Sequence, residues 1–188
     1  MHKNLQSAVN LKQVRSALVL FFLFISQLNY SQAWQWVNGG GGTASDNAAE
    51  TCVDPFGNVY VAGTFNSVSI NIGTVTINNS AVGFDIYVAK LNPAGVVQWV
   101  QRIGGTSNES VAGLCSDNLG RVYVFGSYTS PSVSLPPLSW GNPGTGTSNL
   151  FLACIDASGV AQWLQGYGGA GNEYAGSCAY AGASSSVF

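Results

Sequence analysis

Four cysteines, eight carboxylates and several glycine-rich loops are the side chains from which this 188-residue sequence would build chemistry. Cys52, Cys115 and Cys178 stand 63 residues apart, and Cys154 stands alone. Such thiols would form disulfides in an oxidising compartment, ligate zinc, or act as nucleophiles beside an imidazole. There is no Cys-x-x-Cys pair, and the single histidine is His2, so zinc, haem and Cys–His chemistry have no support. Asp46, Glu109 and Glu173 lie among Asn and Gly, as calcium ligands do, but EF-hand spacing is absent and each loop offers one carboxylate. Glycoside hydrolysis would need two carboxylates about 5–10 Å apart across a cleft. The double glycines Gly41-Gly42, Gly104-Gly105 and Gly168-Gly169 are not phosphate cradles, since no Gly-Lys-Ser/Thr follows them.

Most of these candidates recur. Residues 36–98 are rewritten at 99–162, and a third copy starts at 163 and runs to 188. A fixed period of this length marks a solenoid, propeller or array. Within the first copy, 48–53 reads as a strand and Asp54-Pro55-Phe56-Gly57 as a tight turn. Residues 58–65 follow as a β-branched and aromatic strand, and 85–91 and 96–102 form a hairpin about Asn92-Pro93-Ala94-Gly95. The second copy repeats this with turns at Asp117–Gly120 and Asp156–Gly159. Four antiparallel strands per unit make one blade of a β-propeller, so the chain is expected to be all-β with about two and a half blades. The third copy is expected to be truncated and the chain a fragment, because a propeller needs about four blades to close. Trp36 and its neighbours match the fourth strand, not the first, which suits half of a closing clasp.

Repetition also sorts the chemistry, since structural residues obey the symmetry and catalytic residues break it. The repeated cysteines are expected to be buried, inert thiols, held a blade spacing apart and beyond the ~7 Å Cα limit for bridging. The acids at 46, 109 and 173 are expected to cap the turn before the first strand. Asp54, Asp117 and Asp156 are read as turn formers, and Trp36, Trp99 and Trp163 as packing between blades. No catalytic or metal-ligating residue is assigned, no cofactor is expected, and no binding residue is established. What does not repeat is the pair of inserts at 66–84 and 129–148. The first alternates Val68, Ile70, Ile72, Val75 and Ile77 about Gly73-Thr74, as an extra hairpin would. The second meets Pro136-Pro137, which excludes a central strand, and both inserts are expected to be outer, solvent-facing elaborations. Trp140 in the second insert is a candidate for stacking on a sugar.

Composition agrees with many short strands. The chain is 46% hydrophobic and only 7% charged, against roughly 25% in an average domain. Residues 34–188 hold three basic residues and eight acids, a net charge of −5, which argues against nucleic acid as a partner. Residues 1–33 have the grammar of a secretory signal peptide: scattered positive charge, the apolar run 17–25, and small residues at Ser31 and Ala33. That run is about half the ~20 residues of a spanning helix, so no membrane span is expected in a mature chain beginning at Trp34.

Two stretches resemble a known repeat. GGTSNE (104–109) with DNLGRVYVFGSY (117–128), and DPFGNVYVAGTF (54–65), look like the SBBP-type β-propeller repeat. DIYVAKLNPAGVVQW (85–99) and NLFLACIDASGVAQW (149–163) resemble the linking part of long repeats in exported bacterial proteins, notably of the Bacteroidetes. The resemblance covers residues 34–188. It implies a propeller of about seven blades in a secreted or cell-surface protein, with a sorting domain further on. This sequence departs from the family in having cysteine where a small apolar residue is usual, and in breaking down after Tyr180. The expected function is a non-catalytic exported scaffold or adhesion surface for a protein or carbohydrate. The alternative is a propeller enzyme acting on polysaccharide or peptide, with its active site in other blades.

Overall fold

Short runs of β-branched and aromatic residues, each closed by an Asp or Asn turn, set the strand lengths. The computed structural model describes residues 35–144, 146–182 and 186–187. The expected leader, 1–33, lies outside the described residues. The first repeat supplies β1 (Gly40–Gly41), β2 (Asp46–Val53), β3 (Val59–Phe65), β4 (Ser69–Ile72), β5 (Val75–Asn78), β6 (Asp85–Leu91) and β7 (Val97–Ile103). The second supplies β8 (Glu109–Ser116), β9 (Val122–Tyr128), β10 (Ser132–Leu135), β11 (Leu138–Gly141), β12 (Asn149–Ile155) and β13 (Ala161–Tyr167). From the third come β14 (Tyr180–Ala181) and β15 (Ser186–Val187). No helix among the described residues is long and apolar enough to cross a membrane.

Strands β2-β3-β6-β7 form one four-stranded antiparallel sheet, and β8-β9-β12-β13 form its copy. These are the two complete blades, as the sequence predicts. Register lines up one row across each blade: Cys52–Tyr60–Lys90–Trp99 in the first and Cys115–Tyr123–Cys154–Trp163 in the second. The third strand of blade 1 is buried along its whole length, because both faces of the sheet are covered.

One core fills the seam between the blades. Blade 1 gives it Tyr60, Ala62, Ile86 and Val88, and blade 2 gives Val122, Val124, Phe151, Ala153 and Ile155. A second cluster on the other face of blade 1 holds Tyr87, Ala89 and Leu91, with Trp36 and Val61 packed at its edge. Those positions are the repeat equivalents of Phe151, Ala153, Ile155 and Val124, so both clusters are seams of one kind.

The inserts correct one expectation. They are hairpins, β4–β5 and β10–β11, and Pro136-Pro137 sits at the tip of the latter. Yet they are not simply solvent-facing. Alternation drives Ile70, Val133 and Leu135 into the core, leaving Ser69, Asn71 and Ser132 outside. Each hairpin also pairs with the segment that follows the preceding fourth-strand position, through Gly41↔Asn71 in one case and Gly104↔Ser134 in the other.

Candidate functional site

The turn acids do structural work. Asp54 Oδ1 accepts the amides of Phe56 and Asn58 at 2.9 Å each, while Oδ2 accepts the Asn58 amide group at 2.8 Å. Gly57 closes the turn at φ 80°, a backbone region that other residues resist. Burial opposes ionisation of Asp54, but these hydrogen bonds outweigh it and hold the carboxyl below its ordinary value. At Asp117 the Arg121 guanidinium, 2.5 Å away, joins the turn amides to the same effect. Tyr60 then ties the first turn to the second blade, donating to the Gly120 carbonyl at 2.7 Å.

The tryptophans pack between repeats as expected. Trp99 Nε1 donates to the Ala157 carbonyl at 3.2 Å, and Gln101 to the Gly159 carbonyl at 2.6 Å. Trp36 and Asn38 make the matching bonds to Pro93 and Gly95 of blade 1. The segment around Trp36 therefore holds the place of a fourth strand from a neighbouring blade.

The acids before the first strands cap the glycine loops. Asp46 Oδ2 accepts the Gly42 amide at 2.6 Å, and Glu109 Oε2 accepts that of Gly105 at 2.8 Å. Ser67 and Ser130 bond the same carboxylates from the insert side. Across the blades from Glu109, Asp85 is buried and is paired by Arg102 at 2.9 Å. Burial pushes the Glu109 carboxyl up to about 7, helped by Asp85 and opposed by Ser130 and Gly105. Both carboxylates are buried, so they lack the open cleft that sugar hydrolysis requires. In the next repeat Asn149 replaces Asp85, and its Oδ1 and Glu173 Oε2 are buried without partners beside Gly168. No cluster of three or more His, Cys, Asp or Glu suited to a metal ion occurs among the described residues.

Glu109 has a consequence for pH. Between its ordinary 4.5 and about 7 the folded chain holds a proton that the unfolded chain has lost, so stability falls as pH rises through that window. Urea unfolding of the wild type should lose up to about 3 kcal/mol across it, while Glu109→Gln stays flat. Equal slopes for the two proteins would refute this.

The cysteines depart from expectation. Cys115 Sγ and Cys178 Sγ are 3.2 Å apart, so two equivalent thiols of successive repeats touch. The cause is topological: β2 packs on β8, so first strands are where repeats converge, and a repeat period does not translate into a wide separation there. Cys154 is buried as expected and Cys52 is half-buried, and the loss of solvent pushes their thiols up to about 11 and about 12.

What breaks the repeat lies on the hairpins. Trp140 on β11 is 40% exposed, and a Cβ on Gly166 would fall 2.4 Å from its indole. In blade 1 the equivalent pair is Ile77 and Arg102, so a bare backbone in one blade is filled by the insert's large ring in place of a long side chain. A polar cleft of about 380 Å³ beside the first hairpin is lined by Asn78, Asn79, Ser80, Gln101, Arg102 and Pro136. A more apolar cleft of about 210 Å³, bordered by Trp36, Val61, Tyr87 and Ala89, is the open seam of blade 1. Sequence reasoning singled out Trp140 but not the amide cleft. Its signal was the Asn-Asn-Ser run at the end of the first insert.

No family model matches the chain. Among curated proteins it is similar to an uncharacterized WD repeat-containing protein, L264, of Acanthamoeba polyphaga mimivirus, with 30% identity over 87 residues. The aligned stretch covers 42% of this chain and 6% of that protein, so the chain spans a small fraction of its relative's length. With two complete four-stranded blades and this likeness, the chain is a β-propeller-like repeat protein.

Proposed function

We propose that this chain is a non-catalytic module of an exported, SBBP-type bacterial propeller that presents its outer hairpins to a neutral carbohydrate or a protein partner. The carrying observation is the exposed Trp140 held over Gly166 on a hairpin whose inner face is locked into the core. A partly exposed ring on a rigid hairpin suits a sugar face, and the separate polar cleft by the first hairpin offers Asn, Ser and Gln groups to hydroxyls. Scaffold residues account for the repeated acids and tryptophans, which leaves catalysis without a candidate among them. Export rests on the signal-like leader at 1–33 and a secreted or cell-surface location follows from it; N-terminal sequencing of the chain from an expressing bacterium should read from Trp34, and an intact leader would refute export.

Binding is tested by applying the full chain to an array of neutral glycans, with Trp140→Ala as control. Retention of a glycan class that the variant loses at least tenfold supports the reading. Retention indifferent to Trp140, or none at all, overturns the carbohydrate reading, and release of new reducing ends from a bound polysaccharide overturns the non-catalytic one.

A further inference from the structure

The Cys115 and Cys178 thiols touch at 3.2 Å, a contact of reactive groups that the scaffold does not explain. Cys115 lies on the first strand of blade 2, and Cys178 comes from the third repeat. Three further contacts seat the incoming segment. The Cys178 amide nitrogen lies 2.4 Å from where a Cβ on Gly113 would stand, so only glycine permits this approach. The Cys178 thiol is 3.8 Å from the Tyr123 carbonyl, and Tyr180 stacks on Tyr123 with centroids 6.4 Å apart and rings 5° from parallel.

We infer that Cys115 and Cys178 are a disulfide-forming pair that ties the first strand of blade 2 to the third repeat, closed by a thiol–disulfide exchange oxidant. The sulfurs need to approach by about 1 Å to reach bonding distance, about 2.05 Å. The oxidant is a disulfide, either a small molecule such as oxidised glutathione or the active site of a protein thiol oxidase. One thiolate of the pair attacks a sulfur of that disulfide, giving a mixed disulfide and releasing the oxidant's first thiolate. The other cysteine then loses its proton to solvent and displaces the second thiolate. Two electrons pass to the oxidant, two protons leave, and one S–S bond forms in the chain.

The remaining thiols are poor competitors. Burial raises Cys52 and Cys154, whereas the hydrogen bond from Cys178 lowers Cys115 and so favours its thiolate. The Ser116 hydroxyl nearest Cys52 donates to the Val53 carbonyl, and Cys154 faces Tyr123 and Trp163 across its sheet. The linked residues are 63 apart, so the bond would enclose β9 through β13, the rest of blade 2.

The test equilibrates the full chain in glutathione buffers of graded oxidised-to-reduced ratio, then alkylates free thiols in denaturant and maps the peptides by mass. The expected result is loss of two of the four alkylation sites, with the peptides of Cys115 and Cys178 joined within one chain. A Cys52→Ala, Cys154→Ala double variant should form the same link, and Cys178→Ser should abolish it. Four alkylated cysteines in every buffer would overturn the inference. So would a link using Cys52 or Cys154, or one found only between chains. Because the assay is run on purified protein, it stands whether or not the chain is exported or binds a glycan.

Discussion

Gly63→Ala should destabilise the chain by about 3 kcal/mol or more, read as a lower urea midpoint with an unchanged slope. The new Cβ would stand 1.9 Å from the Asn47 carbonyl oxygen and 2.8 Å from the Tyr87 hydroxyl. The Asn47 carbonyl is backbone and cannot retreat. Register shifts between Ala48 and Glu50, and that bulge presses the Asn47 carbonyl against β3. Blade 2 repeats the device, with a shift between Val111 and Gly113 and the Ser110 carbonyl 2.2 Å from a Cβ on Gly126. The left-handed turn glycines are needed for their φ, whereas Gly63 and Gly126 are needed for space. A wild-type midpoint for Gly63→Ala would show that the bulge yields and would refute the account.

Phe151→Ala should cost about 3–5 kcal/mol in the same measurement. Phe151 is fully buried in the seam between blades, edge-on to Tyr128 with centroids 6.5 Å apart at 64°. Its ring also lies over Gly126, where a side chain would fall 2.8 Å away. Truncation would leave a cavity bounded by two sheets that their own hydrogen bonds hold in place, so collapse is limited. Tyr87 is its repeat equivalent on the open seam of blade 1, backed by the first hairpin and Trp36 instead of a whole blade. Tyr87→Ala should therefore cost less than Phe151→Ala, and the reverse order would count against seam packing as the source of stability.

Strand positions were legible because each turn carries its own chemistry: Asp54, Asn92, Asp117 and Asp156 accept amides two and four residues on, and a glycine follows three residues later. The 63-residue period then placed the second blade on the first. What the period could not convey is distance between equivalent positions, which depends on where a strand lies in its blade. Cys115 and Cys178 meet because the third repeat's segment packs on the first strand of blade 2, as β8 packs on β2, while their spacing in sequence suggested separation. Gly63 inside a strand was a readable sign of a bulge that strand propensity alone passes over. The hairpin tips were harder still. Trp140 with Gly166, set against Ile77 with Arg102, is a matched exchange between positions far apart in sequence, visible only once both blades are superposed.

The pairing of each hairpin with the chain leaving the previous fourth strand has a mechanical consequence. Covalent chain alone would couple successive blades in series, so that a pull on one would open the seam progressively from its weakest edge. Gly104↔Ser134 adds a second strap in parallel with the loop that joins the blades. Load is then shared between the strap and the apolar seam, and the two must part together. The least conserved-looking stretch between the two copies thus serves as a brace, and its freedom to vary is confined to the side chains that face outward from it.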